Sequence, residues 1–282
     1  MILINRANPL TLQKIKLLRT VFTIGNESTA CNTLLLEIGK DYCCYALLKG
    51  EEMSFSKIKY ISYEAIEEHE VLQPIFNEMK NEECSKVIVC SAFPQALLIP
   101  VMYSSAREMM LNSVYDLPLQ KHFADSVPEW QLTASYSLPL VIFRSITARF
   151  PSAQFIHAYT PVLKINNGFV APDQMEIYFS TRYFRLLLKK ENQLQMAQTY
   201  SYKTPLDVVY YLLKICYEFH LQQSGVLVIL SGLIDQDSAM YKELHSYFLN
   251  VQFARAPEFS IPENEYPHHY FTSLYNLAAC VL

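Results

Sequence analysis

The sequence predicts an α/β protein of two similar lobes, the first carrying an inserted subdomain. Three observations lead there. The order strand, strand, strand, helix, strand occurs twice, and the second occurrence follows the first by 140 residues, close to half of the 282-residue chain. A Gln-Phe pair after each copy, Gln154-Phe155 and Gln252-Phe253, recurs at a shorter interval of 98 residues. The difference, 42 residues, is the expected size of an insertion in the first lobe.

Taken in order, residues 32–38 (NTLLLEI), 42–49 (YCCYALLK) and 53–62 (MSFSKIKYIS) read as a three-stranded meander with turns at Gly39 to Asp41 and at Gly50-Glu51-Glu52. Ala65, Ile66, Val71, Leu72, Ile75, Phe76 and Met79 recur at three- and four-residue spacings, the mark of an amphipathic helix, and 86–91 (KVIVCS) reads as a buried strand. The insertion covers about residues 95–136. It holds Met102, Tyr103, Met109, Met110, Leu111, Tyr115, Phe123 and Trp130, more large apolar side chains than so short a segment buries by itself. It therefore needs the parent lobe, another chain or both. Met109, Met110, Tyr115 and Phe123 are its candidate contacts with a protein partner or a second copy.

A helix over LPLVIFRSITARF and the strand with Gln154-Phe155 complete the first lobe, 1–170. The second, 171–282, repeats the order with strands at 174–180, 183–190 and 193–200, a helix carrying Leu206, Val209, Leu212, Leu213, Cys216 and Phe219, and a strand at 226–231. A helix starting near Ser238 and the strand with Gln252-Phe253 follow. At a shift of 140, Leu47, Leu48, Lys49 and Glu51 fall on Leu187, Leu188, Lys189 and Glu191, Tyr60 on Tyr200 and Ser91 on Ser231.

Composition removes several function classes. Six glycines in 282 residues, with no G-x-G-x-x-G and no G-x-x-x-x-G-K, leave no glycine-rich phosphate loop. A net charge of -4 supplies no basic field for nucleic acid or anionic lipid. No apolar run approaches the roughly 18 residues of a spanning helix, and no signal peptide is visible in the first 22 residues. Seven cysteines without a C-x-x-C pair read as reduced, buried thiols, so a cytoplasmic protein is expected, with no membrane insertion and no bound metal. His268 and His269 are expected in a loop after Pro267.

Two βββαβαβ lobes with a subdomain inserted in the first resemble the actin and sugar-kinase superfamily, whose lobes are ribonuclease H-like and whose cleft holds ATP. The chain as a whole also resembles a bacterial family of unknown function linked to this actin-like ATPase fold, and 268–282 (HHYFTSLYNLAACVL) resembles the last helix of that group. The resemblance implies a D-x-G-[ST] phosphate motif in the first hairpin of each lobe and a Gly-Gly adenosine motif after the fourth strand of the second.

Here the first hairpin reads Glu37-Ile38-Gly39-Lys40-Asp41, with glutamate for aspartate and lysine where the hydroxyl should stand. The second reads Tyr178-Phe179-Ser180-Thr181-Arg182, with neither acid nor glycine. Of the adenosine motif Ser231-Gly232 remains, followed by Asp235. If a nucleotide binds, the residues implied are Glu37, Gly39, Lys40, Ser180, Thr181, Ser231, Gly232 and Asp235, with Gly39 and Gly232 opening onto one cleft.

The uneven decay of these motifs leads to an expectation of a non-catalytic binding or assembly module with no catalytic residues and no required cofactor. The other reading is a nucleotide-binding ATPase or kinase in which Glu37 holds magnesium, Lys40 neutralises phosphate and Ser180 and Thr181 donate to it. A nuclease would need clustered carboxylates for two metals, and Glu37 has no companions on these strands.

Overall fold

A strand that the period-two reading passed over comes first: β1 (Leu17–Gly25) pairs antiparallel with the third strand of the expected meander. Its first four residues are exposed, so its apolar side chains show no clean alternation. The computed structural model describes residues 17–25, 33–49, 54–64, 70–81, 84–115, 118–165, 170–255 and 259–281. Part of the expected helix (65–69) and Cys31 lie outside them.

The meander is β2 (Thr33–Ile38), β3 (Tyr42–Leu48) and β4 (Phe55–Glu64), followed by the short α1 (Gln73–Glu78) and by β5 (Lys86–Ser91). Every residue of β2 and β3 is buried, which is why both read as nearly continuous apolar runs rather than as alternation. Next come β6 (Ala96–Pro100), α2 (Arg107–Val114), β7 (Gln120–Val127), β8 (Leu132–Pro139), α3 (Leu140–Arg149), β9 (Gln154–His157) and α4 (Tyr159–Ile165).

The second half holds β10 (Gln174–Phe179), β11 (Tyr183–Lys190), β12 (Gln193–Ser201), α5 (Pro205–Glu218), β13 (Leu227–Gly232), α6 (Ala239–Tyr247), β14 (Asn250–Phe253) and α7 (Thr272–Val281). Helix α5 starts at a capping box between Thr204 and Asp207 with Pro205 at its first position, and α6 starts where Ser238 accepts from the Tyr241 amide. Residues 268–271 form a turn of 3₁₀-helix rather than a loop. His269 is buried there: its Nε2 lies 2.7 Å from the Ile234 carbonyl, and its ring stacks 4.1 Å from that of Phe253.

The strands make a six-stranded sheet ordered β1-β4-β3-β2-β5-β9, a five-stranded sheet ordered β12-β11-β10-β13-β14 and a three-stranded sheet ordered β6-β8-β7. Apart from β1, the two larger sheets share one order and one pattern of directions: β2–β3 and β10–β11 are antiparallel, β2–β5 and β10–β13 parallel. Their residue equivalence runs at 141, as from Gly39 to Ser180, and not at 140. Gly39 N donates to Tyr42 O at 3.0 Å as Ser180 N does to Tyr183 O at 2.9 Å, and Ile38 faces Ser91 as Phe179 faces Gly232. A slip of one residue exchanges the faces of a strand, so matches such as Leu47 with Leu187 and Ser91 with Ser231 are coincidences of letter. The 98-residue interval corresponds to equivalent places: Gln154 faces Ile88 and Gln252 faces Ile229.

The three-stranded sheet occupies the expected insertion and extends past 136 to Pro139. Its core residues Ala96, Val127, Ala134 and Tyr136 pack with Tyr159 and Leu163 of α4 and with Leu187 of β11, so this segment borrows its core from both larger sheets' neighbourhoods. Asp125 on β7 fastens it further, accepting from the His157 amide and the Thr160 hydroxyl, each at 2.7 Å. The Phe123 ring stacks on Tyr136 and Phe155, with centroids 5.4 and 4.9 Å away, and meets Phe143 edge-on. It therefore joins the segment to α3 and β9, and it is half-buried. Met109 is 70 % exposed, Met110 and Tyr115 half-buried.

Candidate functional site

The turn Gly39 to Asp41 and the turn Ser180 to Arg182 cap equivalent hairpins of the two larger sheets, and they touch. Asp41, buried, accepts from the Ser180 hydroxyl at 3.0 and 3.1 Å and from the Arg182 backbone amide. Burial pushes the Asp41 carboxyl above its ordinary value, against the opposing effect of the Arg182 amide and the Ser180 hydroxyl. The Arg182 side chain reaches back to pair with Glu64 and to the Tyr63 carbonyl at 3.4 Å, while Tyr202 OH holds the Ser180 carbonyl at 2.9 Å.

Beneath the turns lies a buried ion pair. Arg185 on β11 donates from Nη1 to Glu37 Oε1 on β2 at 2.8 Å, with side chains 7 and 1 % exposed. Tyr42 OH donates to the same oxygen and Ser273 OH, from α7, to Oε2. Arg185 Nη2 donates to Ser273 Oγ at 3.2 Å, and its guanidinium lies 4.3 Å from the Tyr178 ring centroid. Two sheets and the last helix thus meet on one carboxylate, which has donors on both oxygens. A buried charge is tolerated only with such partners.

The other residues singled out in the sequence lie on the same turns, on β13 and just after it. Lys40 is exposed, its ammonium 5.9 Å from the Phe93 ring centroid, and Thr181 is exposed at the tip of the second turn. A side chain at Gly39 would come within 2.8 Å of the Tyr42 ring. Gly232, at φ +78°, lies so close to β10 that a Cβ would be 2.2 Å from the Phe179 carbonyl, which accounts for the glycine without a nucleotide. Ser231 Oγ donates to the Ile177 carbonyl at 3.2 Å. Asp235 accepts from Tyr270 OH at 2.6 Å.

The structure therefore gathers Glu37, Gly39, Lys40, Ser180 and Thr181 at the contact between the sheets and leaves Ser231 and Gly232 one strand over, on β13. Magnesium with ATP, which the fold family implies, does not fit this arrangement: Glu37 already pairs with Arg185 and accepts from Tyr42 and Ser273. The cavity between the turns, lined by Lys40, Asp41 and Ser180, measures about 10 Å³, room for about one water molecule. Among the described residues no group of three or more His, Cys, Asp or Glu side chains could hold a metal ion, and no helix is long and apolar enough to cross a membrane.

Sequence reasoning missed Arg185, Asp41, Tyr42 and Ser273. One signal for the central pair was present: Glu37 and Arg185 are opposite charges inside otherwise apolar strands, and each calls for a partner.

The profile of a family described as protein of unknown function, DUF3822, matches residues 23–251. The chain belongs to the DUF3822 family. Among solved structures, a protein of Bacteroides thetaiotaomicron VPI-5482 with an actin-like ATPase fold and unknown function is similar at a TM-score of 0.73 and 14 % identity, over 88 % of this chain and 95 % of that one. A second similar structure, from the PilM-PilN type IV pilus biogenesis complex, gives a TM-score of 0.55 at 11 % identity, over 88 % of this chain and 98 % of the other. No curated protein matches. The fold of this DUF3822 chain is thus that of the actin-like ATPases.

Proposed function

We propose that this protein is a non-catalytic member of the actin-like ATPase fold that works as a binding or assembly module. The clasp of Asp41 on Ser180 and Arg182, backed by Glu37 and Arg185, carries this reading: the turns at which the resemblance implies phosphate contacts are bonded to each other by the protein's own groups. The matching order of the two larger sheets supports duplicated lobes, 1–170 and 171–282, with about 95–136 as a subdomain inserted in the first.

That inserted segment is the surface the second lobe lacks. It exposes Met102 and Met109, 78 and 70 % accessible, beside half-buried Met110 and Tyr115, and this apolar surface suits a protein partner or a second copy. A similar fold occurs in a complex with a protein partner in PilM-PilN.

The test is association of the full chain in cross-linked cells and in sedimentation, with and without magnesium and ATP. A module with a closed cleft associates equally under both conditions. Met109→Glu should abolish the association while stability changes by no more than about 0.5 kcal/mol, as for other surface substitutions. Association that requires ATP, or that survives Met109→Glu, would refute the proposal.

A further inference from the structure

A cavity of about 250 Å³ lies between the second large sheet and helices α4 and α7, away from the clasped turns. Val162, Ile165, Ile229, Phe253 and Phe259 give it apolar walls. Into this lining β10 brings a carboxylic acid. Met175 and Ile177 pack in the core on the α5 side, so alternation along the strand turns Glu176 to the opposite face. Glu176 is only 7 % exposed, and its Oε2 is buried without a hydrogen-bond partner. From α7, Tyr275 contributes a hydroxyl that is also buried and unpartnered.

Buried polar atoms are nearly always hydrogen-bonded, and two residues that line this one cavity each carry an orphan, which marks the place for a molecule that supplies donors. Burial alone pushes the Glu176 carboxyl up to about 7, so it is poised to ionise when a cation arrives. Of the cations on the neighbouring strand, Arg185 is already spent on Glu37, and Lys189 donates to Asn192 Oδ1 at 3.4 Å.

We propose that this cavity binds a small organic monoamine with an alkyl or aryl body, whose ammonium group donates to Glu176 and Tyr275. An ammonium has three donors and no acceptor, so it satisfies both orphans and the charge of the ionised acid together. A ligand acid would set like charge against the carboxylate. Arg255, exposed at the rim, disfavours a second cationic group and restricts the ligand to a monoamine. The volume suits a body of about the size of phenylethyl.

The experiment is calorimetric titration of the full chain at pH 8 with 2-phenylethylamine and with 2-phenylethanol, its neutral counterpart of similar shape. The amine should bind saturably and at least about tenfold more tightly than the alcohol, the advantage of a charge-assisted contact over a neutral one. Its affinity should rise from about pH 6 to about pH 8 as Glu176 gives up its proton. Glu176→Gln should lose at least about tenfold in amine affinity and leave the alcohol unaffected. No saturable binding of the amine, equal binding of amine and alcohol, or amine binding unchanged in Glu176→Gln would each overturn the proposal. The comparison of the two ligands on the unsubstituted protein decides the matter even if the variant does not fold.

Discussion

Replacing Arg185 with methionine should destabilise the fold by about 3–5 kcal/mol, because it leaves the Glu37 carboxylate buried and without its cation. The side chains are similar in length, so lost packing contributes little. The cost comes from charge: Glu37 keeps hydroxyl donors from Tyr42 and Ser273, but neither can neutralise it. A second substitution, Glu37→Gln, removes the stranded charge while keeping an acceptor for those hydroxyls. The double variant should therefore be more stable than Arg185→Met alone, and urea unfolding of the four proteins in a double-mutant cycle measures the coupling. Additive effects of the two substitutions would mean that the pair does not hold the sheets together.

Glu176→Gln should have the opposite sign. In the folded protein the Glu176 carboxyl is pushed up to about 7 by burial, against an ordinary value of 4.5. The native state therefore holds a proton that the unfolded chain has already released. Any stability linked to this group is fully present below pH 4.5 and is lost as pH rises through about 7, amounting to about 3 kcal/mol. Glutamine stays neutral at every pH. The variant should match the natural protein near pH 4 and be more stable at pH 8 by up to about 3 kcal/mol, read from urea midpoints at the two pH values. An equal difference at both would show that Glu176 does not ionise differently on folding.

Much of the fold could be read from the chain because its central strands are buried on both faces and its long helix has clear signals. The strands at 86–91 and 183–190 stand where their apolar runs end, and Thr204-Pro205 and Ser238 mark true helix starts. Edge and shared elements were harder. Strand β1 covers only the outer edge of its sheet, and the strands of the three-stranded sheet rest on α4 and β11 as well as on each other, so burial follows neighbours rather than a simple period. Register was the subtlest error, since letters repeated at 140 while hydrogen bonds repeat at 141.

The site was legible in position and not in state. The hairpins at Gly39 and Ser180 were found as candidate phosphate turns, yet only tertiary structure brings Asp41 onto Ser180 and Arg185 onto Glu37. The Glu176 cavity could not be anticipated, because its lining comes from α4, β10, β13, β14 and α7, which are distant in sequence.

The most direct test of the closed cleft is a crystal structure of the full chain grown with magnesium and millimolar ATP. A cleft closed by its own side chains predicts that the Ser180 hydroxyl still donates to Asp41, that Arg185 still pairs with Glu37, and that no phosphate lies between the turns. A triphosphate seated between Gly39 and Ser180, with Glu37 released from Arg185, would contradict it.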